Sequence, residues 1–449
     1  MKLDEYLETV SEQIRYTKIR STVTEELKNH ITDQAEAYEA CGAFPEEAME
    51  RAIREMGDPV ATGVSLDRIH RPQMHWGIVL SIAIISILNI GMFLLADSIS
   101  SNTYPWQRQA LFVILGFALM LVVYRLDYSI LEQIGTKCAV TFLLAIILAF
   151  IFAGSSANGV YRWISLGKIS FSVSEMMLLY IPIFASALYS FRGQGYIVFA
   201  KILPLILIPT IFLSAVPALS YSVILFTSLF CIVTLAVWKN WFQIHRKSVL
   251  IICCLIVVLT PLLLLSYVYF FGETYQVARI SQMFSAADSQ DYIMRMAKSM
   301  RENSAFFGSS HASLEYFVNG PTTDFLSDLV ITSMCSIYGI FLTVAIITGL
   351  LFILLKALHI SFSQKNQLGM IIGSSCGIVF LIKTAVGILV NLQIIPYIAI
   401  NIPFLSYGGS GIIVSYILLG FILSVYRYKN ILPAKTNNHK RKQLKITWE

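Results

Sequence analysis

Long apolar stretches separated by short polar segments dominate the chain after residue 75. About 20 apolar residues suffice for a helix to cross the hydrocarbon core of a bilayer. Ten stretches have about this length, and only "SAVPA" separates the fifth from the sixth, so these two could instead form one helix. The predicted membrane helices cover 76–96, 108–124, 137–153, 174–190, 197–215, 218–237, 248–270, 329–355, 369–393 and 404–426.

The first 70 residues have a different, amphipathic pattern with many charges. Thr22, followed by Glu25, has the spacing of a capping box and predicts a helix that starts at Thr22. Pro45 and Gly57 are placed as the start and end of a further helix. The pattern predicts a three-helix domain over 1–72 with a regulatory or protein-interaction role. Its first helix has apolar residues at helical spacing: Leu3, Tyr6, Leu7, Val10 and Ile14.

Two segments of this region, "EELKNHI" and "EEAMERAIREMGDP", resemble the HAAS-type helical domains that precede membrane segments in some regulators. The resemblance implies a cytoplasmic domain that binds another molecule. The sequence does not identify that partner.

The composition supports a membrane protein, because 56% of the residues are hydrophobic and only 13% are charged. Charged residues make up about a quarter of an ordinary soluble protein. A soluble enzyme is therefore excluded, and we expect an all-α polytopic membrane protein with about ten membrane helices and a long extracellular loop. No cleavable signal peptide is predicted, so the first apolar run is an internal anchor. The seven cysteines have no metal-binding spacing and predict neither a disulfide nor a metal site.

The net charge is +6, and the positions of Lys and Arg near the helix ends predict the orientation, since these residues favour the cytoplasmic ends of membrane helices. With ten spans, the basic side also holds both termini, which are therefore predicted to be cytoplasmic in a multi-pass cell-membrane protein. The basic tail, 431–449, is interpreted as a flank attracted to anionic membrane lipids and not as a nucleic-acid site. The basic residues of this side are Arg125, Lys137, Arg192, Lys201, Lys239, Arg246, Lys247, Lys356, Lys365, Arg427 and Lys429.

The predicted outer loop, 271–328, is too long to be a passive connector. Ile293, Met296 and Met300 give part of it an amphipathic pattern. Asp324 and Asp328 lie near its end, four residues apart, and share a face if a helix has already begun there. A carboxylate at the mouth of an apolar helix suits a general base. It is also explained by the free amides of a helix N-terminus.

A second outer segment, "NGVYRWISLGKISFSVSE", places Arg162 beside Trp163. The planar fork of Arg suits a phosphate or diphosphate, whereas Trp is common at membrane interfaces in any case. Glu175 and Lys383 both fall inside predicted membrane helices. Ionisable residues at such depth are functional candidates that face the protein interior and need partners.

The segment "PFLSYGGSG", 403–411, places flexible and polar residues at the start of the last predicted helix. Gly408 and Gly409 allow a bend or the close approach of a ligand. The hydroxyls of Ser406, Tyr407 and Ser410 can satisfy backbone groups or bind a headgroup. The alternative is a plain re-entrant turn, which is tolerated where it is buried in protein or lines a cavity.

These motifs resemble the SEDS family (shape, elongation, division and sporulation). "PFLSYGGSG" is similar to the family segment "PFxSYGGSS", and "NGVYRWISLG" to "NGxxRWIxxG", with Glu175 at the acid of its "QPSE". "LDYSIL", 126–131, and "LEYF", 314–317, resemble two further family segments. The similarity covers about 76–430 in the order of the family, within a membrane domain predicted to span 73–430.

The resemblance implies a peptidoglycan glycosyltransferase that polymerises lipid II at the outer face of the cytoplasmic membrane, in division, elongation or sporulation. It implies that an outer-loop aspartate handles the proton of the acceptor hydroxyl. Counting back from Gly339 selects Asp328, while the local "TDF" match selects Asp324. Arg162 and Arg279 are assigned to the leaving diphosphate, with a possible divalent cation, Mg²⁺ or Mn²⁺. A class B penicillin-binding protein is the implied partner. A precursor flippase and a non-catalytic scaffold are the alternatives.

The sequence departs from the family pattern at several positions. The proline of "QPSE" is Val173, and the lysine three residues after the glutamate is Leu178. In the ninth predicted helix, Lys383 stands in place of Gln and Gly387 in place of Asn. These differences leave the predicted fold unchanged and put the activity in question.

Overall fold

The structure is a computed structural model that describes residues 2–99, 106–157, 160–167, 169–216, 218–271, 292–319 and 322–429. Arg279 and the predicted basic tail lie outside these residues. Contacts divide the chain into two compact units. One contains Met1–Met74 and the residues from Arg427 onward, and the other contains His75–Tyr426.

The first unit has four helices, not the predicted three: α1 (Leu3–Gln13), α2 (Thr17–Ala40), α3 (Pro45–Glu55) and α4 (Pro59–His70). The apolar stripe of α1 is buried as its spacing predicts, since Tyr6, Val10 and Ile14 are fully buried. These side chains pack with Ile31 and Ala52 in one apolar core.

Two predictions in this unit are wrong: the start of the second helix and the number of helices. Thr22 lies inside α2, which begins one turn earlier at Thr17, so it is not the N-cap. The sequence analysis predicted only the end of a helix at Gly57 and Pro59, whereas the additional helix α4 begins at Pro59. Asp58 caps it by accepting a hydrogen bond from the Ala61 amide at 2.7 Å, and Pro59 occupies the first turn, where its missing N–H costs nothing.

The second unit is a multi-pass membrane bundle, which confirms the predicted fold class. Among the described residues, nine helical segments are long and apolar enough to cross a membrane. The tenth predicted stretch, 248–270, lies within a further helix of 26 residues, α12. The helices are α5 (Trp76–Ile99), α6 (Trp106–Arg125), α7 (Ile130–Ala153), α8 (Val173–Met177), α9 (Tyr180–Ser190), α10 (Ile197–Ala215), α11 (Leu219–Trp238), α12 (Arg246–Phe271), α13 (Tyr292–Glu302), α14 (His311–Asn319), α15 (Thr322–Ser327), α16 (Val330–Tyr338), α17 (Ile340–Phe362), α18 (Gln367–Asn391) and α19 (Gly409–Arg427).

The eighth predicted membrane helix, 329–355, is interrupted. Gly339 has a φ of 84°, which ends α16, and the long helix α17 begins at Ile340. A Cβ added at residue 339 would also lie 2.8 Å from the backbone of Gly308. Both the positive φ and this close approach therefore favour glycine at this position. The apolar run hides this break because both helices are hydrophobic.

A three-stranded antiparallel sheet occupies a segment that the sequence predicted only as an outer loop. Its strands are β1 (Gly154–Ala157), β2 (Val160–Leu166) and β3 (Ile169–Ser172). In the register, Trp163 faces Ser155 on one side and Ser172 on the other. The sheet leads directly into α8, which carries Glu175, and so fixes where that helix starts.

The described part of the predicted outer loop, 292–319 and 322–328, forms short helices, as its amphipathic pattern predicts. α13 buries Met296, Ala297 and Met300 against the rest of the unit. The Ser313 hydroxyl of α14 donates to the Met300 carbonyl at 2.7 Å. The hydrogen bond therefore joins α13 to α14 in the part of the chain that precedes Asp328.

Candidate active site

A buried ion pair joins Glu175 of α8 to Lys383 of α18. The Lys383 ammonium lies 2.8 Å from both carboxylate oxygens. Glu175 is 1% exposed and Lys383 is 2% exposed, so both charges are removed from water. The two side chains neutralise each other, which is the arrangement that makes ionisable groups tolerable at membrane depth.

Two polar side chains complete this cluster. The Tyr221 hydroxyl of α11 donates to Glu175 Oε1 at 2.5 Å, and the Asn401 amide donates to the same oxygen at 3.3 Å. The Lys383 ammonium also lies 5.6 Å from the centre of the Tyr221 ring. Four separate parts of the chain thus meet at one carboxylate, which fixes their relative positions.

The irregular segment 401–408 is held by hydrogen bonds from side chains and backbone. The Ser406 hydroxyl accepts from the Ile402 amide at 2.7 Å, and the Tyr407 amide donates to the Leu326 carbonyl at 2.9 Å. Ser410 accepts from the Ser172 amide at 2.9 Å, which ties the start of α19 to the sheet. The hydroxyls of Ser406 and Ser410 therefore accept hydrogen bonds from backbone amides, as expected for an irregular segment that is buried in protein.

The two glycines of this segment have different roles. Gly408 has a φ of 146°, a conformation that residues with a Cβ rarely adopt. Gly409 begins α19 directly against the ring of Phe112, where an added Cβ would lie 2.6 Å from a ring carbon. At Gly409 it is therefore the ring of Phe112 in α6, and not a ligand, that lies close to the backbone in this structure.

Asp328 lies between α15 and α16 and is 8% exposed. The Tyr397 hydroxyl donates to its Oδ2 at 3.0 Å, and the Asn391 amide donates to its backbone carbonyl at 2.9 Å. Asp324 belongs to α15, which ends at Ser327, so the two acids do not share one helix as the spacing allowed. The side chain of Asp324 lies outside the described set.

One face of α18 connects the Asp328 site with the ion pair. Lys383, Gly387 and Asn391 are four residues apart, so they lie on the same helix face over about 12 Å. The Asn391 amide also donates to the Gly387 carbonyl at 2.9 Å. Asp328 additionally lies within electrostatic range of Tyr221. We call this face of α18, with Lys383 at one end and Asn391 at the other, the polar track, although Ile402 packs on Gly387 between the two polar residues.

Two cations near this track were not predicted from the sequence. Arg301 of α13 donates to the Asn391 carbonyl, and burial lowers the pKa of its guanidinium. Arg108, at the start of α6, lies beside the Tyr407 hydroxyl. Both positions follow from tertiary packing and have no local sequence signal.

The predicted Arg162 and Trp163 lie together on β2, with the guanidinium 5.8 Å from the ring centre. Among the described residues, no hydrogen bond joins Arg162 to Asp328 or to the ion pair. The structure therefore pairs Glu175 with Lys383, and it joins Ser410 to Ser172 at the end of β3, three residues before Glu175. Arg162 and Trp163 lie on β2.

The sequence interpretation missed Tyr221, Asn391, Tyr397 and Asn401. Asn391 had a usable signal, because it lies eight residues after Lys383 and so on the same helix face. Asn401 stands two residues before the glycine-containing motif. Tyr221 and Tyr397 are aromatic residues in apolar surroundings and had no signal.

This chain lacks the lysine and the asparagine that the family pattern has at residues 178 and 387, but it has a lysine and an asparagine elsewhere in the site. Residue 178 is a leucine, and the cation that pairs with Glu175 is Lys383 of α18. An amide absent at Gly387 is present one turn later at Asn391, where it binds the backbone of Asp328. The site of this chain therefore contains a buried ion pair and an amide contact to Asp328.

Over the described residues, no group of three His, Cys, Asp or Glu side chains is placed to hold an ion. Mg²⁺ is commonly bound through one or two carboxylates together with substrate phosphates. Asp328 could take part in that kind of site, in which the ion would neutralise a diphosphate.

Comparison with known proteins gives three consistent findings. A family model described as Cell cycle protein (FtsW, RodA, SpoVE) matches residues 72–431. A probable peptidoglycan glycosyltransferase FtsW from Legionella pneumophila is 25% identical over 397 residues, 84% of this chain and 94% of that protein. A probable peptidoglycan glycosyltransferase FtsW from Enterococcus hirae is 23% identical over 350 residues, 76% of this chain and 86% of that protein.

Two solved structures have the same fold as the membrane unit. One is a chain from a peptidoglycan synthase complex that coordinates polymerization and crosslinking, with a TM-score of 0.62 and 20% identity over 79% of this chain and 98% of that one. The other is the rod shape determining protein RodA of Thermus thermophilus, with a TM-score of 0.55 and 18% identity over 79% of this chain and 97% of that one.

Proposed function

Because the chain belongs to the FtsW, RodA and SpoVE family of cell cycle proteins, we propose that it is a peptidoglycan glycosyltransferase. In this proposal it polymerises lipid II at the outer face of the cytoplasmic membrane, with both termini in the cytoplasm. The observation that carries the proposal is the Asp328 carboxylate, oriented by Tyr397 at the end of a polar track.

The chemical step requires a base near the acceptor hydroxyl. The hydroxyl oxygen attacks the anomeric carbon of the diphosphate-linked donor, so a new C–O bond forms while the C–O bond to the diphosphate breaks. The electron pair of the broken bond leaves with the diphosphate. Asp328 accepts the hydroxyl proton, and its hydrogen bond from Tyr397 holds the carboxylate in one orientation.

The leaving diphosphate needs positive charge on the same side of the bundle. Arg301 is held at the Asn391 end of α18, next to the residue that binds Asp328, and is the described cation best placed for this role. Arginine suits the task because its planar donor fork can bind two phosphate oxygens at once. Arg162 and Arg279 remain proposals for the same anion.

The Glu175–Lys383 pair has a positioning role in this scheme. Its charges cancel, and its polar partners come from α11 and from the segment before α19. Breaking the pair would therefore shift α8, α11 and α18 relative to one another without removing the base. Lys383 is thus a positioning residue and Asp328 the catalytic one.

The proposal is tested by measuring lipid II polymerisation with purified full-length protein. Asp328→Asn keeps the shape of the side chain but cannot accept the proton, so we expect loss of at least about 100-fold of the activity, in line with general-base catalysis. Asp324→Asn is the matched control and should stay within a few-fold of wild type. Full activity of Asp328→Asn would refute the assignment of the base. A non-catalytic scaffold predicts no polymerisation by any variant, including wild type.

A partner that crosslinks the new strands is part of the proposal. One structural relative comes from a complex in which polymerization and crosslinking are coordinated. A class B penicillin-binding protein would supply the crosslinking activity. The assay should therefore be run with and without the candidate partner, because a polymerase of this kind can depend on it for activity.

A further inference from the structure

We infer that the end of the bundle opposite the candidate active site binds the headgroup of an anionic phospholipid. A cleft of about 610 Å³ lies there, between the loop that joins α9 to α10 and the loop that joins α11 to α12. This volume is within the range of small-molecule sites. Its lining residues are Gly193, Tyr196, Asn240, Trp241, Phe242, Gln243, Ile244 and His245.

The cleft is far from the residues assigned to catalysis. Arg192, beside the cleft, donates to Gln367 at 2.6 Å, and Gln367 is the first residue of α18. Asn391, which contacts Asp328, is the last residue of the same helix. The rise of 1.5 Å per residue separates these two ends by about 36 Å. A molecule in the cleft is therefore not a substrate of the Asp328 site.

The two loops are bound to each other, so the cleft is already formed. The Gly193 amide donates to the Trp241 carbonyl at 2.8 Å, and the Gln243 amide donates to the Gln194 carbonyl at 3.0 Å. The Tyr196 hydroxyl accepts from the His245 amide at 3.0 Å. A preformed cleft loses little conformational entropy when a ligand binds.

The charge around the cleft is positive and unbalanced. The sequence has no Asp or Glu between Glu175 and Glu273. Lys239, Arg246 and Lys247 are exposed beside the cleft, and none of them pairs with a carboxylate in the described part of the chain. Arg192, by contrast, has an acidic residue in its neighbourhood, because Arg192 and Glu132 of α7 both lie within electrostatic range of Tyr189.

A lipid headgroup fits this position better than a soluble anion because the cleft lies where membrane helices end. Trp238 and Tyr196, which are 53% and 55% exposed, flank it, and such aromatic residues favour the headgroup level of a bilayer. Basic pockets between membrane helices bind anionic headgroups, and we expect each cation beside the bound headgroup to strengthen binding about fivefold. A phosphodiester in the cleft would be within reach of the lysines while its acyl chains remain in the bilayer.

The test is native mass spectrometry of the full-length protein after incubation with equal amounts of phosphatidylglycerol and phosphatidylcholine. We expect wild type to retain phosphatidylglycerol preferentially. Lys239→Gln/Lys247→Gln should weaken this binding roughly 30-fold at low ionic strength. Ile244→Trp, which fills the cleft without changing its charge, should also weaken it.

The matched control is Lys137→Gln/Lys356→Gln, which removes the same charge at the same end of the bundle from exposed positions on other helices. It should bind phosphatidylglycerol within about twofold of wild type, because only diffuse attraction is reduced. Equal weakening in both double variants, or no lipid preference in wild type, would overturn the inference. Displacement of the lipid by glycerol 3-phosphate, with the same dependence on Lys239 and Lys247, would assign the cleft to a soluble phosphate instead.

Discussion

Removing the ammonium of Lys383 tests whether the buried ion pair organises the membrane unit. Lys383→Met retains most of the apolar stem and deletes the charge. Glu175 would then be a carboxylate with a side chain only 2% exposed, bound by Tyr221 and Asn401 but without a cation. An uncompensated buried charge is costly because the low-dielectric interior cannot replace the lost hydration.

The expected destabilisation is about 3–5 kcal/mol, the range for breaking a buried pair by removing one partner. A conversion of about 2–4 °C per kcal/mol holds for chains of 150–250 residues, so the fall in Tm of this longer chain is at most roughly 6–20 °C. Replacing both partners removes the isolated charge, so Glu175→Gln/Lys383→Met should be more stable than Lys383→Met alone. The two single variants and the double variant together form a double-mutant cycle.

The assay is thermal unfolding of purified protein in one detergent, with polymerisation measured on the same samples. Lys356→Met is the control for the loss of a lysine, because Lys356 is exposed on α17, and its Tm should stay within about 1 °C of wild type. A Lys383→Met variant as stable as this control would show that the pair contributes no net stability. Strict additivity of the two single variants would show that Glu175 and Lys383 are not coupled.

Three further predictions concern neighbouring residues. Tyr397→Phe removes the hydroxyl that donates to Asp328, the proposed general base; a hydrogen bond to a charged group is worth about 1.5–3 kcal/mol, so we expect a fall in polymerisation rate of about 10- to 100-fold, with the Tm little changed. Gly409→Ala places a methyl group 2.6 Å from the ring of Phe112 and should destabilise the protein by about 1–3 kcal/mol; the further substitution Phe112→Leu should restore much of this in thermal unfolding, and no recovery would contradict the steric explanation. Leu178→Lys in a Lys383→Gln background moves the cation to the position used by the family, one helical turn from Glu175; recovery of Tm and activity relative to Lys383→Gln alone is expected, and further loss would show that the two positions are not equivalent.

The sequence by itself determined the membrane elements, because a bilayer imposes a length and a polarity that one stretch of chain must satisfy alone. The predicted span 197–215 agrees with α10 residue for residue, and the amphipathic pattern around Met296 and Met300 correctly predicts a helix. The boundaries failed where hydrophobicity does not change. α16 and α17 are both apolar, and only the backbone conformation at Gly339 separates them.

Part of the site could also be predicted, since an ionisable residue in an apolar run is rarely without a role. Glu175 and Lys383 were identified separately on that basis, but nothing in the local sequence pairs two residues 208 positions apart. The absence of a lysine at residue 178 put the activity in question, and only the structure shows that Lys383 of α18 pairs with Glu175. Likewise, Tyr221 and Tyr397 could not be distinguished from ordinary aromatic packing residues.

Tertiary structure decided the identities of the partners, because a hydrogen bond depends on a fit of about 3 Å between groups that chain connectivity leaves far apart. Hydrophobic pattern is a local property of each helix and can be read along the chain. The meeting of α8, α11, α18 and residue 401 at one carboxylate depends on how the helices pack. That packing, and not the motif alone, sets the geometry in which Asp328 is held.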